Sequence, residues 1–309
     1  MTHGAGTVRG VRAWILAIRP RTLPAAVAPV VVGTGMASAR GVADPWPALA
    51  ALAGALLLQV ATNLANDYYD FMKGSDTEKR VGPVRVVQAG ILSPESVRRA
   101  TGLVLLAATA VGGYLVWVGG LPILVIGLAA LVCAVAYTGG PFPLAYHGLG
   151  DLFVFLFFGP VAVAGTWWVQ AGSFETDLLV AGCGMGALIT AILVVNNLRD
   201  RETDAETGKR TLAVRLGDTG SRLQYLGLVG VALLAPVVGV LVWSWHPWTL
   251  AALGAGALLA RPAARVLTFL NPADLNPALG ETARAVAWYG GLLAAGFVAG
   301  SALGGGGPS

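Results

Sequence analysis

Apolar runs long enough to cross a lipid bilayer recur along almost the whole of this 309-residue chain. In hydrocarbon every backbone N–H and C=O must be satisfied internally, which leaves the helix and the closed barrel as spanning structures. Roughly 20 helical residues at about 1.5 Å each cover a hydrocarbon core about 30 Å thick. Runs of that length fall near 23–39, 48–66, 100–118, 121–137, 152–171, 178–196, 223–243, 248–270 and 285–303, the eighth interrupted by Arg261-Pro262. With 56% apolar and 12% charged residues and a mean hydropathy of +0.71, a soluble globular domain is excluded. The expected fold is all-α: a polytopic membrane helical bundle of about nine transmembrane helices. A single transmembrane domain over 14–303 is expected, flanked by a disordered cytoplasmic N-terminus over 1–13 and a disordered Gly-rich tail over 304–309.

The basic residues orient the bundle. With nine spans and a cytoplasmic N-terminus, only Arg40 of the 20 Lys and Arg residues falls outside, as the excess of cations in cytoplasmic loops requires. The expected location is thus a bacterial cell membrane, multi-pass, with the N-terminus, the charged loops and an active site built on them facing the cytoplasm. The net charge of +4 is a topological signature that needs no nucleic-acid partner. Ala37-Ser38-Ala39 resembles a signal-peptide cleavage site, yet eight further spans follow and Arg19-Pro20-Arg21-Thr22 runs directly into the first, so an uncleaved first helix is expected.

Two acidic clusters stand at cytoplasmic span ends: Asn66-Asp67-Tyr68-Tyr69-Asp70 with Asp76, and Asn197-Leu198-Arg199-Asp200 with Asp204. Each is followed by a Lys-Arg pair, Lys79-Arg80 and Lys209-Arg210. Carboxylates beside cations suit a metal-bound polyphosphate: aspartate oxygens hold a hard cation such as Mg²⁺, which bridges phosphate oxygens, while Lys and Arg neutralise the remaining charge. A shift of 130 positions superposes the clusters without a gap, matching Asn66 to Asn196, Asp70 to Asp200, Thr77 to Thr207, Lys79 to Lys209, Arg80 to Arg210, Val84 to Val214, Arg85 to Arg215 and Gly90 to Gly220. Six of these eight identities are polar in a mostly apolar chain, the mark of an internal duplication.

An offset of four helices keeps the two units in the same orientation, so both loops open on one side as parallel repeats. Asp67 and Asp70, and Asn66 and Asp70, share a face if their helix continues, and Asn196, Asp200 and Asp204 follow at intervals of four as one helical stripe; Asp76 reaches in from a loop. All three lysines of the chain, Lys73, Lys79 and Lys209, lie in these loops, against 17 arginines overall. The segment Tyr137-Thr138-Gly139-Gly140-Pro141-Phe142-Pro143, followed by His147 and Asp151, reads either as a plain turn or as a substrate-lining loop. Trp167, Trp168, Trp243, Trp245 and Trp248 sit at outer span ends, where an interfacial aromatic belt is expected. Cys133 and Cys183 are packing residues, and His3, His147 and His246 have no metal-ligand spacing.

These residues resemble the intramembrane aromatic prenyltransferase superfamily, whose two motifs are matched by Asn66, Asp67 and Asp70 and by Asp200 and Asp204. Within it, the closer likeness is to the branch acting on 1,4-dihydroxy-2-naphthoate. Arg19-Pro20-Arg21-Thr22-Leu23, the Lys73-Gly74 spacing that sets Asp76 six residues after Asp70, Arg80-Val81-Gly82-Pro83, Tyr137-Thr138-Gly139-Gly140-Pro141 and Gly208-Lys209-Arg210-Thr211 carry that likeness. The resemblance implies Mg²⁺-dependent transfer of a polyprenyl group from polyprenyl diphosphate to 1,4-dihydroxy-2-naphthoate, with loss of CO₂, in menaquinone biosynthesis. It implies Asn66, Asp67, Asp70, Asp76, Asn197, Asp200 and Asp204 as Mg²⁺ ligands, direct or through water. Lys73, Arg80, Lys209 and Arg210, with Arg85, Arg21 and Arg215, contact diphosphate, and Tyr68 and Tyr137 line the cavity, steadying a cation or orienting the acceptor. The same motifs serve sister enzymes acting on 4-hydroxybenzoate, homogentisate, haem or a glycerol phosphate lipid. A secondary transporter is the alternative of a different class, since such carriers also combine intramembrane acids with repeats.

Overall fold

The computed structural model describes residues 9–77 and 81–304, and all regular structure among them is helical. Eight of its helical stretches are long and apolar enough to cross a membrane. One of them, α4 (Pro94–Ala136), has 43 residues, about twice what a bilayer core needs. It breaks at Gly120, whose backbone (φ 66°, ψ −153°) is open to glycine but not to an ordinary L-residue. Its two arms, 94–119 and 121–136, bring the crossings to nine, as the apolar runs predict. The carbonyl of Gly119 at the break accepts a hydrogen bond from the Trp168 indole at 2.8 Å, which satisfies a backbone group at the turn between the two crossings.

The other crossings are α2 (Leu23–Ala39), α3 (Pro45–Met72), the pair α5 (Gly150–Leu156) and α6 (Ala162–Ala171), α7 (Asp177–Arg199), α9 (Leu212–Trp243), α10 (Ala255–Thr268) with the 3₁₀ turns Pro247–Gly254 before it, and α11 (Leu275–Gly304). Short helices α1 (Val11–Ile18) and α8 (Arg201–Glu206) lie at one end of the bundle. Arg261-Pro262 does not interrupt the eighth crossing, because α10 runs through Pro262; the irregular part is the 3₁₀ stretch before it. Structure also begins earlier than expected, since α1 starts at Val11 inside the stretch 1–13. The expectations for residues 1–8 and for the tail 305–309 lie outside the described residues, as do Lys79 and Arg80.

At an offset of 130, α3 corresponds to α7, the arms of α4 to α9 and α10, and the α5–α6 segment to α11, so the duplication covers a four-crossing unit. Helix α7 is the axis of the bundle, buried along most of its length. It packs by backbone proximity: a Cβ at Gly182 would lie 2.5 Å from Pro160 Cα, and one at Gly186 2.4 Å from the Phe155 carbonyl oxygen. Small residues let membrane helices approach this closely. The approach is met by a wide turn, Phe157–Val161, between α5 and α6.

The aromatic-belt expectation needs correction. Trp167 and Trp245 are buried, not interfacial, whereas Trp243 and Trp248 are exposed. Asp177, buried at the start of α7, explains this: its Oδ2 accepts from the Trp245 indole at 2.7 Å and pairs with Arg40, which lies over the Trp167 ring. A buried carboxylate needs such donors, and these side chains tie α2, α6, α7 and the end of α9 together.

Candidate active site

The last turns of α3 carry Asn66, Asp67 and Asp70. After Met72 the chain turns at Gly74 (φ 70°), which returns Asp76 to the same corner. Asp67, Asp70 and Asp76 are all buried. Three carboxylates in so small a space demand positive charge, and Arg85 supplies it. Its guanidinium reaches Asp67 Oδ1 at 3.0 Å, Asp70 Oδ2 at 3.5 Å and Asp76 Oδ2 at 3.5 Å. The fork geometry of arginine suits this triple contact, where a lysine would offer a single point charge. Asp67, the innermost, also pairs with Arg19 and accepts from the Val86 amide at 3.3 Å.

The second cluster departs from the single helical stripe expected of Asn196, Asp200 and Asp204. Helix α7 ends at Arg199, Asp200 is the junction (φ −92°, ψ 5°), and Asp204 stands on the separate α8. Arg199 ties this junction to its neighbours. Its buried guanidinium donates to both oxygens of Asp200 at 2.8 and 2.7 Å, to Asn196 at 2.9 Å and to Asn276 of α11 at 3.1 Å. This bidentate pairing turns the Asp200 carboxylate back toward Arg199, while the backbone bonds run on from the Asp200 amide to Asn196 and from the Asp204 amide to the Asp200 carbonyl at 2.8 Å.

Lys209 joins the clusters. Its Nζ lies 3.8 Å from Asp70 Oδ2 and 3.7 Å from Asp204 Oδ1, so residues 134 apart in sequence share one cation. The loop after α4 closes the corner from a third side. Thr138 Oγ1 donates to Asn66 Oδ1 at 2.8 Å, and the Thr138 carbonyl accepts from Lys73 Nζ at 2.8 Å. Tyr146 donates its hydroxyl to Asp70 Oδ1 at 2.9 Å, and Ser75 Oγ lies 2.6 Å from the Tyr146 hydroxyl oxygen. Burial and the neighbouring Asp70 push the Tyr146 phenol above its ordinary pKa, so it stays protonated and able to donate. Desolvation lowers the Lys73 ammonium from its usual value, partly opposed by Asp70.

A cavity of about 1110 Å³ opens beneath this corner. Asn66, Asp70, Arg85, Asn196, Asn197 and Lys209 line its polar end, with Arg19 and Arg21. Its depth is walled by residues such as Leu115, Ile123, Leu128, Phe153, Phe157 and Ile192. Tyr137 lines the cavity, its hydroxyl packed against Gly150. Asp67, Asp76, Asp200 and Asp204 stand behind the lining and reach it through Arg85, Arg199 with Asn196, and Lys209.

Three expected site residues sit elsewhere. Tyr68 does not line the cavity; it packs against Tyr69 and an apolar cluster containing Leu64, Val86 and Val97. Arg210 and Arg215 are exposed and fasten the loop after α4: the Arg210 amide donates to the Tyr146 carbonyl, and Arg215 donates to the His147 carbonyl at 2.9 Å. Arg80 lies outside the described residues. In their place the structure brings in Tyr146, Thr138, Arg199, Arg19 and Asn276. Arg199 stood inside the quoted second motif; nothing in the spacing around Tyr146 marked it.

A model of the UbiA prenyltransferase family matches residues 26–283, most of the described bundle. The chain belongs to the UbiA prenyltransferase family. As a UbiA member it is an enzyme and a multi-pass membrane protein, which removes the transporter alternative. Similar UbiA relatives include the 1,4-dihydroxy-2-naphthoate octaprenyltransferase of Mycobacterium tuberculosis, 43% identical over 88% of this chain and 92% of that protein. The enzyme of the same name from Escherichia coli is 37% identical over 88% of this chain and 91% of its own length. Among solved structures, a UbiA homolog from Archaeoglobus fulgidus bound to GPP and Mg²⁺ superposes with a TM-score of 0.63 at 14% identity, covering 91% of this chain and 99% of that one. That likeness speaks to the fold alone.

Proposed function

We propose that this enzyme transfers a polyprenyl group from polyprenyl diphosphate to 1,4-dihydroxy-2-naphthoate, with Mg²⁺ and with loss of CO₂, giving demethylmenaquinol for menaquinone biosynthesis. The observation that carries this reading is Lys209 bridging Asp70 and Asp204 at the mouth of an otherwise apolar cavity. Such a site offers acid and base to a charged head and hydrocarbon to a long tail. The 37–43% identity to two enzymes named for this acceptor supports the choice of acceptor.

The donor set fits Mg²⁺. It consists of carboxylate and amide oxygens, and among the described residues no three acidic side chains form a ready cage. Mg²⁺ is commonly held by one or two carboxylates together with substrate phosphates, so no such cage is required. Asn66, Asp70 and Asn197, which line the cavity, would hold it directly, and Asp76, Asp200 and Asp204 behind them through water, with Asp67 acting through Arg85. When bound, Mg²⁺ neutralises charge on the departing diphosphate.

The side chains do the rest. Lys209 and Arg85 pair with diphosphate oxygens, and Lys73 and Arg21 add positive charge at the rim. The prenyl C1–O bond breaks with its electron pair leaving on diphosphate. The ring carbon that bears the carboxylate forms the new C–C bond, and release of CO₂ restores the aromatic ring. The apolar walls keep water from the allylic cation, and Tyr137 offers its ring face to that cation. We place the site on the cytoplasmic side with the N-terminus, because the charged loops gather at one end and Arg40 stands at the other.

Membranes carrying the protein, given a radiolabelled polyprenyl diphosphate, Mg²⁺ and 1,4-dihydroxy-2-naphthoate or 4-hydroxybenzoate, test the proposal. The expected result is an EDTA-sensitive lipid product from the naphthoate alone. Product from 4-hydroxybenzoate alone overturns the acceptor, and product from neither overturns the reaction.

A further inference from the structure

Tyr146 occupies the junction of the three loops that build the site. Its hydroxyl donates to Asp70 Oδ1 at 2.9 Å and meets Ser75 Oγ at 2.6 Å. Its backbone carbonyl accepts from the Arg210 amide, on the loop that carries Lys209. Its ring centroid lies 4.7 Å from Lys73 Nζ and 5.5 Å from Lys209 Nζ. Two of the three lysines in the chain therefore gather at one aromatic ring.

Two separable effects follow. The hydroxyl takes one oxygen of Asp70 and fixes the rotation of the carboxylate, so that Oδ2 is the oxygen turned toward Arg85 and Lys209. The ring attracts both ammonium groups through its π-electrons, which offsets part of the cost of gathering two like charges around it. An apolar aliphatic side chain could do neither. A phenylalanine could do only the second.

We propose that Tyr146 is a positioning residue of the diphosphate–metal site, its hydroxyl setting Asp70 for the divalent cation and its ring setting Lys73 and Lys209 for the diphosphate. This inference rests on the diphosphate reading of the site, but not on the identity of the aromatic acceptor.

Equilibrium binding of radiolabelled farnesyl thiodiphosphate to the purified full-length protein, as a function of Mg²⁺ and without acceptor, reads both effects apart from turnover. For Tyr146→Phe, the Mg²⁺ concentration giving half-maximal binding is expected to rise about tenfold, the loss of one hydrogen bond to a charged group. Affinity at saturating Mg²⁺ should stay within about twofold, because the ring remains. Tyr146→Leu should also weaken binding at saturating Mg²⁺ by about tenfold, since removing the ring releases two lysines. Lys73→Met, an exposed substitution that spares the hydroxyl, should reproduce part of that second loss even where Tyr146→Leu fails to fold. Unchanged Mg²⁺ dependence in Tyr146→Phe overturns the role of the hydroxyl. Equal affinity at saturating Mg²⁺ for the wild type and the Lys73→Met and Tyr146→Leu variants overturns that of the ring. Absence of Mg²⁺-dependent binding in the wild type overturns the diphosphate reading itself, and this role with it.

Discussion

Arg85 holds three buried carboxylates that would otherwise repel one another, and so it carries structural as well as chemical weight. Removing one partner of a buried charge cluster typically costs about 3–5 kcal/mol, because the remaining charges stay desolvated. Arg85→Met should therefore lower the thermal unfolding temperature in detergent as well as abolish turnover. Arg85→Lys should recover part of the stability and little of the activity, since one ammonium cannot span three acids. An unchanged melting temperature in Arg85→Met would mean that the cluster is not held in this way. At this scale the sequence was informative about residue type and less so about direction. Asn66, Asp70 and Asn197 line the cavity from helix ends, where periodicity constrains them, and Arg85 and Lys209 line it from loops. Tyr68 turns outward although it adjoins Asp67, since one residue along a helix rotates a side chain by about 100°. Tyr146 was not legible, because its place depends on how a loop folds over a helix from a distant part of the chain.

Among the elements, α7 shows why an apolar run does not disclose its neighbours. Its glycines read as ordinary transmembrane composition, yet Gly182 and Gly186 are contact points with the backbone of the α5–α6 turn. Gly182→Ala should destabilise the protein by about 1–3 kcal/mol, the usual range for overpacking. Gly230→Ala in α9, where a Cβ meets nothing within 4 Å, should be neutral or stabilising by about 0.5–1 kcal/mol. Unfolding in detergent, followed by tryptophan fluorescence, compares the two; equal effects would contradict the packing described for α7. The nine crossings were legible because hydrocarbon imposes their length and hydropathy. The end of α7 was not, since the change of backbone at Asp200 (φ −92°, ψ 5°) and the pairing of its carboxylate with Arg199 are features that periodicity does not encode. The burial of Trp167 and Trp245 follows likewise from Asp177, whose partners come from other elements.

Over the whole molecule, the duplication sets the site. Two copies of a four-crossing unit in the same orientation bring their acidic ends to one face, and the space between them becomes a cavity polar at one end and apolar in its depth. That much follows from the offset of 130 residues and the parity of the crossings. The contact between the copies does not, because the register of one loop against another is set by side chains such as Lys209. The account stands or falls on the two clusters acting as one site. The most direct measurement is Mg²⁺-dependent prenyl transfer to 1,4-dihydroxy-2-naphthoate in membranes containing matched amounts of wild type, Asp70→Asn and Asp200→Asn. Either substitution alone is predicted to lower turnover by about 100-fold or more, in line with the loss of a group that stabilises developing charge. Near-normal turnover in either variant at saturating Mg²⁺ would contradict a shared site.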